Sequence, residues 1–372
     1  VNGGSFDDGD SVYRITGERY SLDDVDADWA EASGVFKRAL VDAPWPQRYD
    51  SFTKAGEVLD HMSIPEWLDV NVTGGAGGRL GQLLQTVAIS EYGGEPAKQP
   101  ALNLIYVLAW NPGRSIEPLA GTDEMFHIAG GNDLLISRMA EEIPQGSINT
   151  NTALIAVNKQ STDSYVCTFQ SDAATFDVRA EYVVLALPFT TLREVDLAGA
   201  GLSDLKLRAI REMAMGTNAK LHIQVGSRPW AGLGLGGVAF TDPAGFQVCW
   251  DETAAQPGES GILVNFTGGE ARGQVPQEPD EFLSGVEPLF PGTAEAYQGL
   301  SWTDLWAASP WQKGSYSHWG LGQYSAFAGY EGASEGNVHF CGEHTSQEFQ
   351  GYMEGAVETA EDVARSILTA LS

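Results

Sequence analysis

The residues with the clearest chemistry lie near the C-terminus. An apolar run, VHFC at residues 338–341, ends at Gly342 and Glu343, and the sequence GYMEG at 351–355 precedes a helical pattern. A strand that ends at a glycine lets the backbone approach a ligand closely, and the amino terminus of a helix favours anionic groups. Ligands of open α/β sheets bind at the carboxyl ends of the strands. The spacing therefore indicates a nucleotide or another anionic ligand at this point.

The elements that would position these residues alternate between helix and strand. The first 120 residues are predicted to be mainly helical, because apolar residues recur at helical spacing in Leu22–Leu40, Arg79–Tyr92 and Ala101–Trp110. Strand patterns occupy two later stretches, Ala153–Val157, Tyr165–Phe169, Thr175–Val178 and Tyr182–Leu187 in one, and Lys220–Val225, Gly237–Thr241, Gln247–Asp251 and Ile262–Thr267 in the other. We therefore predict a mixed α/β (α+β) chain whose two strand systems interleave along the sequence.

Three of these segments carry more specific predictions. The run Tyr182–Leu187 is apolar without interruption, which predicts a strand that is buried on both faces. The C-terminal helix, from near Tyr352 to Leu371, has an apolar stripe that includes Val357 and Leu368, and we expect this stripe to face inward. The alternation at Phe126–Ile128 predicts a short strand.

The composition excludes several classes of function. Of the 372 residues, 43% are hydrophobic and 19% are charged, which suffices for a large core and excludes wholesale disorder. The formal charge of −29 would repel phosphate backbones and anionic membranes, whereas it suits a cationic small molecule. Since no apolar run approaches the roughly 20 residues of a spanning helix, we expect a soluble protein without nucleic-acid or membrane partners. The three widely spaced cysteines indicate neither a disulfide framework nor a metal site.

The C-terminal run carries a family resemblance. The letters FCGEHTS at 340–346 and GYMEGAVETAEDVA at 351–364 resemble the C-terminal signature of flavin-dependent amine oxidases, the group of monoamine, polyamine and L-amino-acid oxidases. Other segments follow in the order of that family: YVVLALP at 182–188, GTNAK at 216–220 before RPW at 228–230, and Trp306 before GSYS at 314–317. The resemblance extends over nearly the whole chain and implies a partial FAD-binding Rossmann-like domain interleaved with a mixed-sheet substrate domain.

The resemblance implies oxidative deamination of an amine. A hydride would pass from the carbon beside the amine to FAD, the imine would hydrolyse, and dioxygen would be reduced to hydrogen peroxide. By analogy Lys220 would hold a water beside the flavin, Tyr316 and Tyr352 would form an aromatic cage, and Trp306 would belong to the substrate segment. Aromatic walls suit an amine because they attract its cation and still accept its neutral form.

The resemblance also implies which residues would hold FAD. Gly342 and Glu343 would contact its ribityl–phosphate part, and Val157 would lie on its adenine side. Gly351, Tyr352 and Met353 would place a helix start against the pyrimidine edge, where negative charge grows on reduction and a helix N-terminus stabilises it.

Two departures from the family pattern shape the expectation. Ser315 stands where many monoamine oxidases carry the cysteine that bonds the flavin, so FAD should be bound non-covalently. The GxGxxG turn that holds the pyrophosphate is absent, and the chain opens on Val1 rather than on Met, well after the start of the family pattern. We therefore expect that a complementary N-terminal chain or segment supplies the rest, and a homodimer is also left open.

The resemblance also implies a division into two domains, and two alternative functions remain open. Residues 1–120 and 194–324 would form the substrate-binding domain, and residues 121–193 and 325–372 the remainder of the FAD-binding domain. One alternative is an L-amino-acid oxidase, which needs a cationic anchor for the substrate carboxylate; Tyr352 favours simple amines instead. The other is a flavin-free, inactive fragment of such an enzyme.

Overall fold

The computed structural model describes residues 11–109, 128–162, 164–172, 174–254 and 256–372. The part before residue 110 contains β1 (Val12–Ile15), β2 (Glu18–Tyr20), α1 (Leu22–Asp42), α2 (Lys54–Asp60), α3 (Ile64–Asn71), α4 (Arg79–Tyr92) and α5 (Ala101–Leu108). The prediction of a mainly helical start is confirmed for these residues, although the strands β1 and β2 were not predicted. Residues 126 and 127 of the predicted strand and the domain bound at residue 120 lie outside the described residues, and Ile128 is not part of a strand.

The remaining elements follow in chain order. From residue 128 to 215 they are α6 (Asp133–Glu142), β3 (Thr152–Ser161), β4 (Ser164–Ser171), β5 (Thr175–Ala180), β6 (Val183–Leu185), α7 (Phe189–Leu192), α8 (Asp204–Glu212) and β7 (Ala214–Met215). Up to residue 305 they are β8 (Ala219–Val225), α9 (Pro229–Gly232), β9 (Ala239–Thr241), β10 (Val248–Asp251), β11 (Gly261–Thr267), α10 (Pro279–Val286), α11 (Thr293–Ala296) and β12 (Tyr297–Leu305). The last are β13 (Ser317–His318), α12 (Gln323–Phe327), β14 (Val338–Phe340) and α13 (Met353–Leu371).

Local sequence explains where the helices near the site begin and end. Ser63 caps α3 in a capping box, since its hydroxyl accepts from the backbone N–H of Glu66 while the Glu66 carboxylate accepts from the backbone N–H of Ser63. Helix α4 has the predicted bounds and ends at Gly93, whose φ of +65° suits glycine. A Cβ at this position would lie 2.2 Å from Oδ1 of Asn218, so only glycine fits.

A seven-stranded sheet with the order β12-β8-β11-β10-β9-β1-β2 carries one wall of the candidate site. Strand β8, the second in this order, alternates strictly: Leu221, Ile223 and Val225 are buried, and the intervening residues point to the other face. The buried face packs on a cluster that includes Trp230, Phe282 and Phe290. The other face of β8, which begins with Lys220, is therefore directed away from that core.

A second group of elements leaves more of its apolar side chains exposed than the seven-stranded sheet does. It consists of α6, the antiparallel sheet β3-β4-β5, the parallel pair β6-β14, and α13. Helix α6 has no buried residue, and its apolar side chains Leu134, Leu135, Ile136 and Met139 are between 38% and 65% exposed. No helix in the described ranges is long and apolar enough to cross a membrane.

Two predictions of burial are wrong for this second group. Strand β6 is not buried on both faces, since Val184 is 44% exposed between two buried neighbours. The apolar stripe of α13 does not face inward, because Val357 and Leu368 are exposed and only Gly355 of the helix is buried. Both errors have one physical cause: the described residues provide no layer that covers these faces.

Candidate active site

A cavity of about 950 Å³ lies between the seven-stranded sheet, the carboxyl end of α4 and the start of α13. Its sheet wall consists of Lys220, Phe240, Val248, Trp250 and Phe266. These residues project from β8, β9, β10 and β11 toward the same side, opposite the buried face of β8. The sheet therefore presents one ammonium group within an otherwise apolar surface.

The ammonium group of Lys220 lies against aromatic rings. Its Nζ is 5.0 Å from the ring centroid of Trp250 and 5.7 Å from that of Phe266. The two rings contact each other edge-on, with centroids 5.5 Å apart and an interplanar angle of 68°. Cation–π attraction within about 6 Å favours this arrangement.

Aromatic side chains from other segments line the opposite part of the cavity. Tyr92, Trp306, Tyr316 and Tyr352 all contribute to its surface. The Tyr316 hydroxyl donates a 2.6 Å hydrogen bond to the Ser90 carbonyl at the end of α4, which fixes the ring. Burial raises the pKa of Tyr92, so this phenol stays neutral. Tyr352 is 45% exposed at the mouth of the cavity.

The segment that precedes Tyr316 is tied to the segment that precedes Lys220. The Ser315 hydroxyl donates a 2.7 Å hydrogen bond to Oδ1 of buried Asn218, and the Asn218 side chain donates to the Ser90 carbonyl at 3.1 Å. The Ser90 carbonyl thus accepts from both Asn218 and Tyr316. These hydrogen bonds hold three chain segments that are distant in sequence next to one another around the cavity.

Glu343 fixes the loop before α13. Its carboxylate accepts from the Ser317 backbone N–H at 3.0 Å, from the Ser317 hydroxyl at 2.8 Å and from the Gly351 N–H at 2.8 Å. Burial raises the pKa of this carboxyl, and the three donors partly oppose that shift. Gly351 has a φ of +86°, which glycine adopts without strain. Helix α13 then starts beyond Tyr352 without a side-chain cap.

The structure brings most of the predicted site residues together. The cavity is lined by Lys220, Trp306, Ser315, Tyr316, Gly351, Tyr352 and Met353. Gly342 and Glu343 lie immediately behind this wall, where Glu343 binds Ser317 and Gly351. Val157 is fully buried in β3, and its N–H donates to the Asp196 carbonyl. The roles of these residues toward a cofactor stay predictions.

Several residues at the cavity were not found from the sequence. Phe240, Trp250 and Phe266 were assigned to strands without a role, and Ser90 and Asn218 were not singled out. The strands do carry a usable signal. Side chains alternate between the two faces along each strand, so once the strands are paired, the residues that share the face of Lys220 can be identified. No comparable signal exists for Ser90, because its contribution is a backbone carbonyl.

Comparison with known proteins agrees with this geometry. A sequence model of flavin-containing amine oxidoreductases matches residues 53–368. A nicotine dehydrogenase of Pseudomonas putida is 26% identical over 86% of this chain and 62% of its own, and an (S)-6-hydroxynicotine oxidase of Paenarthrobacter nicotinovorans is 28% identical over 74% and 60%. This chain therefore spans less than two thirds of the length of these relatives.

Solved structures show the same fold. A cyclohexylamine oxidase from Brevibacterium oxydans superposes with a TM-score of 0.81 at 20% identity, covering 100% of this chain and 82% of that one. A putrescine oxidase bound to putrescine gives a TM-score of 0.79 at 19% identity, covering 98% and 82%. The mixed α/β fold is that of FAD-dependent amine oxidases, and the chain belongs to the family of flavin-containing amine oxidoreductases.

Proposed function

We propose that this chain carries the amine-binding site of an FAD-dependent amine oxidase. The observation that supports it is that one cavity collects Lys220, the rings of Tyr316 and Tyr352 and the uncapped start of α13 from separate segments. FAD, when bound, supplies the hydride acceptor, so that an amine is converted to an imine that hydrolyses while dioxygen is reduced to hydrogen peroxide. The oxidases of cyclohexylamine and putrescine share this fold.

The chain's own residues bind and orient the amine. The Tyr316 ring, fixed through its hydroxyl, and the Tyr352 ring present aromatic faces to the cavity. Such faces attract an ammonium and still accept the neutral amine from which a hydride can leave. The carboxylates Glu91 and Glu348 also line the cavity. Their negative charges favour the binding of a cationic ligand over that of an anionic ligand. The runner-up, an L-amino acid, would bring a carboxylate to this surface.

Lys220 supplies hydrogen-bond donors on the sheet wall. An ammonium group has three N–H donors and can hold a water molecule in a fixed position. We propose that it holds this water beside the flavin, where dioxygen is reduced. Trp306 closes the cavity beside the segment that bears Tyr316.

The residues present fit FAD at the α13 end. The backbone at Gly351–Met353 lines the cavity, Met353 is 61% exposed, and the first turn of α13 lacks a side-chain cap that would compete for its N–H groups. Gly342 and Glu343 would lie along the ribityl–phosphate part, and Val157 on the adenine side. Since Ser315 carries a hydroxyl rather than a thiol, FAD would be held non-covalently and would be released by denaturation.

The open face of the second group of elements supports a further partner within the assembly. Apolar side chains of α6 and Val184 of β6 are exposed, and a parallel pair of strands is normally covered on both faces. We propose that a complementary segment, which carries additional strands, covers this face and completes FAD binding. The substrate-binding domain would then comprise 1–120 and 194–324, and the FAD side 121–193 and 325–372.

The open face formed by α6 and Val184 has its own test. The isolated chain should bind the dye ANS strongly, Ile136→Lys on α6 should weaken that binding, and Val41→Lys on the exposed side of α1 should not. Light scattering of the purified chain distinguishes a monomer from a homodimer that covers the face with a second copy. Weak dye binding by a monomeric chain would contradict the proposal.

The first test of the function is to add FAD to the purified protein and to measure how much flavin it retains. The second is to measure the hydrogen peroxide released with a primary amine, a polyamine or an L-amino acid as the substrate. We expect retention of FAD with turnover of a simple amine. Preferential turnover of the L-amino acid would establish the runner-up. Absence of flavin binding would identify a flavin-free fragment and reject the proposal for the isolated chain.

Replacement of the cavity lysine tests its role in the loaded enzyme. Lys220→Met removes the ammonium but keeps the length of the side chain, and we expect flavin reoxidation by dioxygen to slow by about tenfold or more. Stopped-flow absorbance measures this rate. Lys54→Met, at an exposed lysine on α2 that pairs with Glu57, is the matched control. Unchanged reoxidation in K220M would refute the role.

A further inference from the structure

Lys220 stands between two very different neighbours on the seven-stranded sheet. Its cross-strand partner on β11 is Phe266, and its partner on β12 is Asp304. Directly opposed residues on neighbouring strands project from the same face, so both side chains are within reach of the lysine. The ammonium can therefore turn toward a carboxylate on one side or toward an aromatic surface on the other.

The carboxylate side is already engaged. Oδ2 of Asp304 lies 3.2 Å from Nε2 of His222, and Oδ1 accepts a 3.0 Å hydrogen bond from the indole N–H of Trp302. Across the described ranges no ion pair joins Lys220 to Asp304. The Lys220 ammonium instead lies 5.0 Å from the centroid of Trp250. The side chain has thus turned away from its cross-strand carboxylate and into the cavity.

The Trp250 ring is held by contacts with two other residues. Its indole N–H donates a 2.5 Å hydrogen bond to Oε2 of Glu252, which fixes the ring on β10. Its ring contacts Phe266 edge-on, so the two rings form one continuous surface under the ammonium. Both rings line the cavity, as does Lys220.

We propose that Trp250 is a positioning residue for Lys220. Its ring, braced by Glu252 and by Phe266, draws the ammonium away from Asp304 and holds it in the cavity. The contact itself follows from the geometry, while its importance for oxidation depends on the proposed function. Trp250 acts through Lys220 and needs no contact with the substrate.

The position of the ammonium can be measured without any flavin. Reductive methylation with ¹³C-formaldehyde labels each lysine as a dimethylamine that keeps its charge, and the Lys220 signal is assigned by its absence in Lys220→Arg. Methyl groups above an indole ring are shifted upfield by the ring current. We expect this upfield shift in the wild type, loss of it in Trp250→Leu, and a smaller shift in Trp250→Phe.

Two variants serve as controls for this measurement. Trp311→Leu removes a tryptophan that is 77% exposed, and Asp304→Asn removes the carboxylate on the opposite side of Lys220; neither should move the signal. An unmoved signal in Trp250→Leu would overturn the proposal, as would an equal change in D304N. If W250L does not fold, as judged by circular dichroism, W250F and Phe266→Leu decide the question through partial losses of the shift.

Kinetics of the FAD-loaded enzyme test the consequence. Trp250→Leu should slow flavin reoxidation about three- to fivefold, the factor that a contact of this kind supplies, while anaerobic reduction by the amine keeps its rate. Trp250→Phe should restore most of the reoxidation rate. Equal slowing of both half-reactions would indicate a merely structural role and overturn the proposal. If the protein does not turn over amines, the proposed function fails, whereas the methyl signal still decides on the position of Lys220.

Discussion

The seven-stranded sheet and the α6–α13 region differ in how the chain treats its apolar residues. On β8, Leu221, Ile223 and Val225 are almost completely buried, and aromatic residues of other elements cover them. On α6, apolar residues of the same size are exposed, and the helix buries none of its side chains. The comparison teaches that the apolar residues of the sheet find their packing partners within the described part of this chain, whereas those of α6 remain exposed there.

The cavity lies where these two regions meet, and this explains its composition. The sheet contributes fixed side chains such as Lys220 and Trp250, whereas the start of α13 contributes exposed backbone and the half-exposed Tyr352. The second region differs from the sheet in that the described residues leave its apolar faces uncovered.

The sharpest test of the comparison uses the same substitution in each region. Ile223→Ala removes a fully buried side chain from β8 and should lower the free energy of unfolding by about 2–5 kcal/mol. Ile136→Ala removes an exposed side chain from α6 and should change it by roughly 0.5 kcal/mol or less. Urea unfolding followed by circular dichroism measures both. Equal losses would show that α6 is packed as firmly as the sheet.

The same contrast accounts for what the sequence could reveal. Alternation in β8 and helical spacing in α4 predicted these elements closely, because their partners lie within the chain and their patterns match their burial. The apolar stripe of α13 and the run around Val184 predicted buried surfaces that the described residues do not cover. A pattern shows what a segment can bury, but not whether a covering element is supplied.

The candidate site was predictable only in part. The family motifs identified Lys220, Tyr316 and Tyr352, and these residues line one cavity. The motifs could not identify Trp250, whose relation to Lys220 depends on the register of β8, β10 and β11. Strand order is a tertiary property, so the contact becomes visible only after the sheet is assembled.

A buried lysine and a buried glutamate beside β14 give a pH-dependent prediction. Nζ of Lys206 on α8 donates to the Tyr330 and Glu331 carbonyls at 2.7 Å and 2.6 Å, and lies 4.1 Å from the centroid of Phe340 on β14. Burial raises the pKa of the Glu331 carboxyl from 4.5 to about 7, and burial lowers the pKa of Lys206 to about 7. Between pH 4.5 and about pH 7, the folded chain therefore keeps a proton on Glu331 that the unfolded chain has released.

Because the folded pKa of Glu331 is the higher one, its favourable contribution is complete below pH 4.5 and is lost as the pH rises to about 7. Between pH 5 and pH 7 it should lower the free energy of unfolding by about 2 kcal/mol. Glu331→Gln cannot titrate, so the difference between wild type and variant should change by this amount over that window. Urea unfolding at pH 5, 6 and 7 measures it, with Glu259→Gln at an exposed position as the control. A constant difference between wild type and E331Q would show that folding does not raise the pKa of the Glu331 carboxyl.

The smallest expected effect concerns how two helices begin, α3 in the helical first part of the chain and α6 in the exposed region. Ser63 caps α3 through both hydrogen bonds of a capping box, whereas Asn132 precedes α6 without a side-chain cap. Ser63→Ala leaves the Glu66 N–H without its partner and should cost about 1 kcal/mol of unfolding free energy. Asn132→Ala removes no capping bond, only the acceptor of an exposed 3.3 Å hydrogen bond from the Ile128 N–H, and should cost roughly a few tenths of a kcal/mol. Thermal and urea unfolding of both variants decide between these values, and an equal cost would mean that α6 starts with a cap in solution and belongs to the firmly folded part of the molecule.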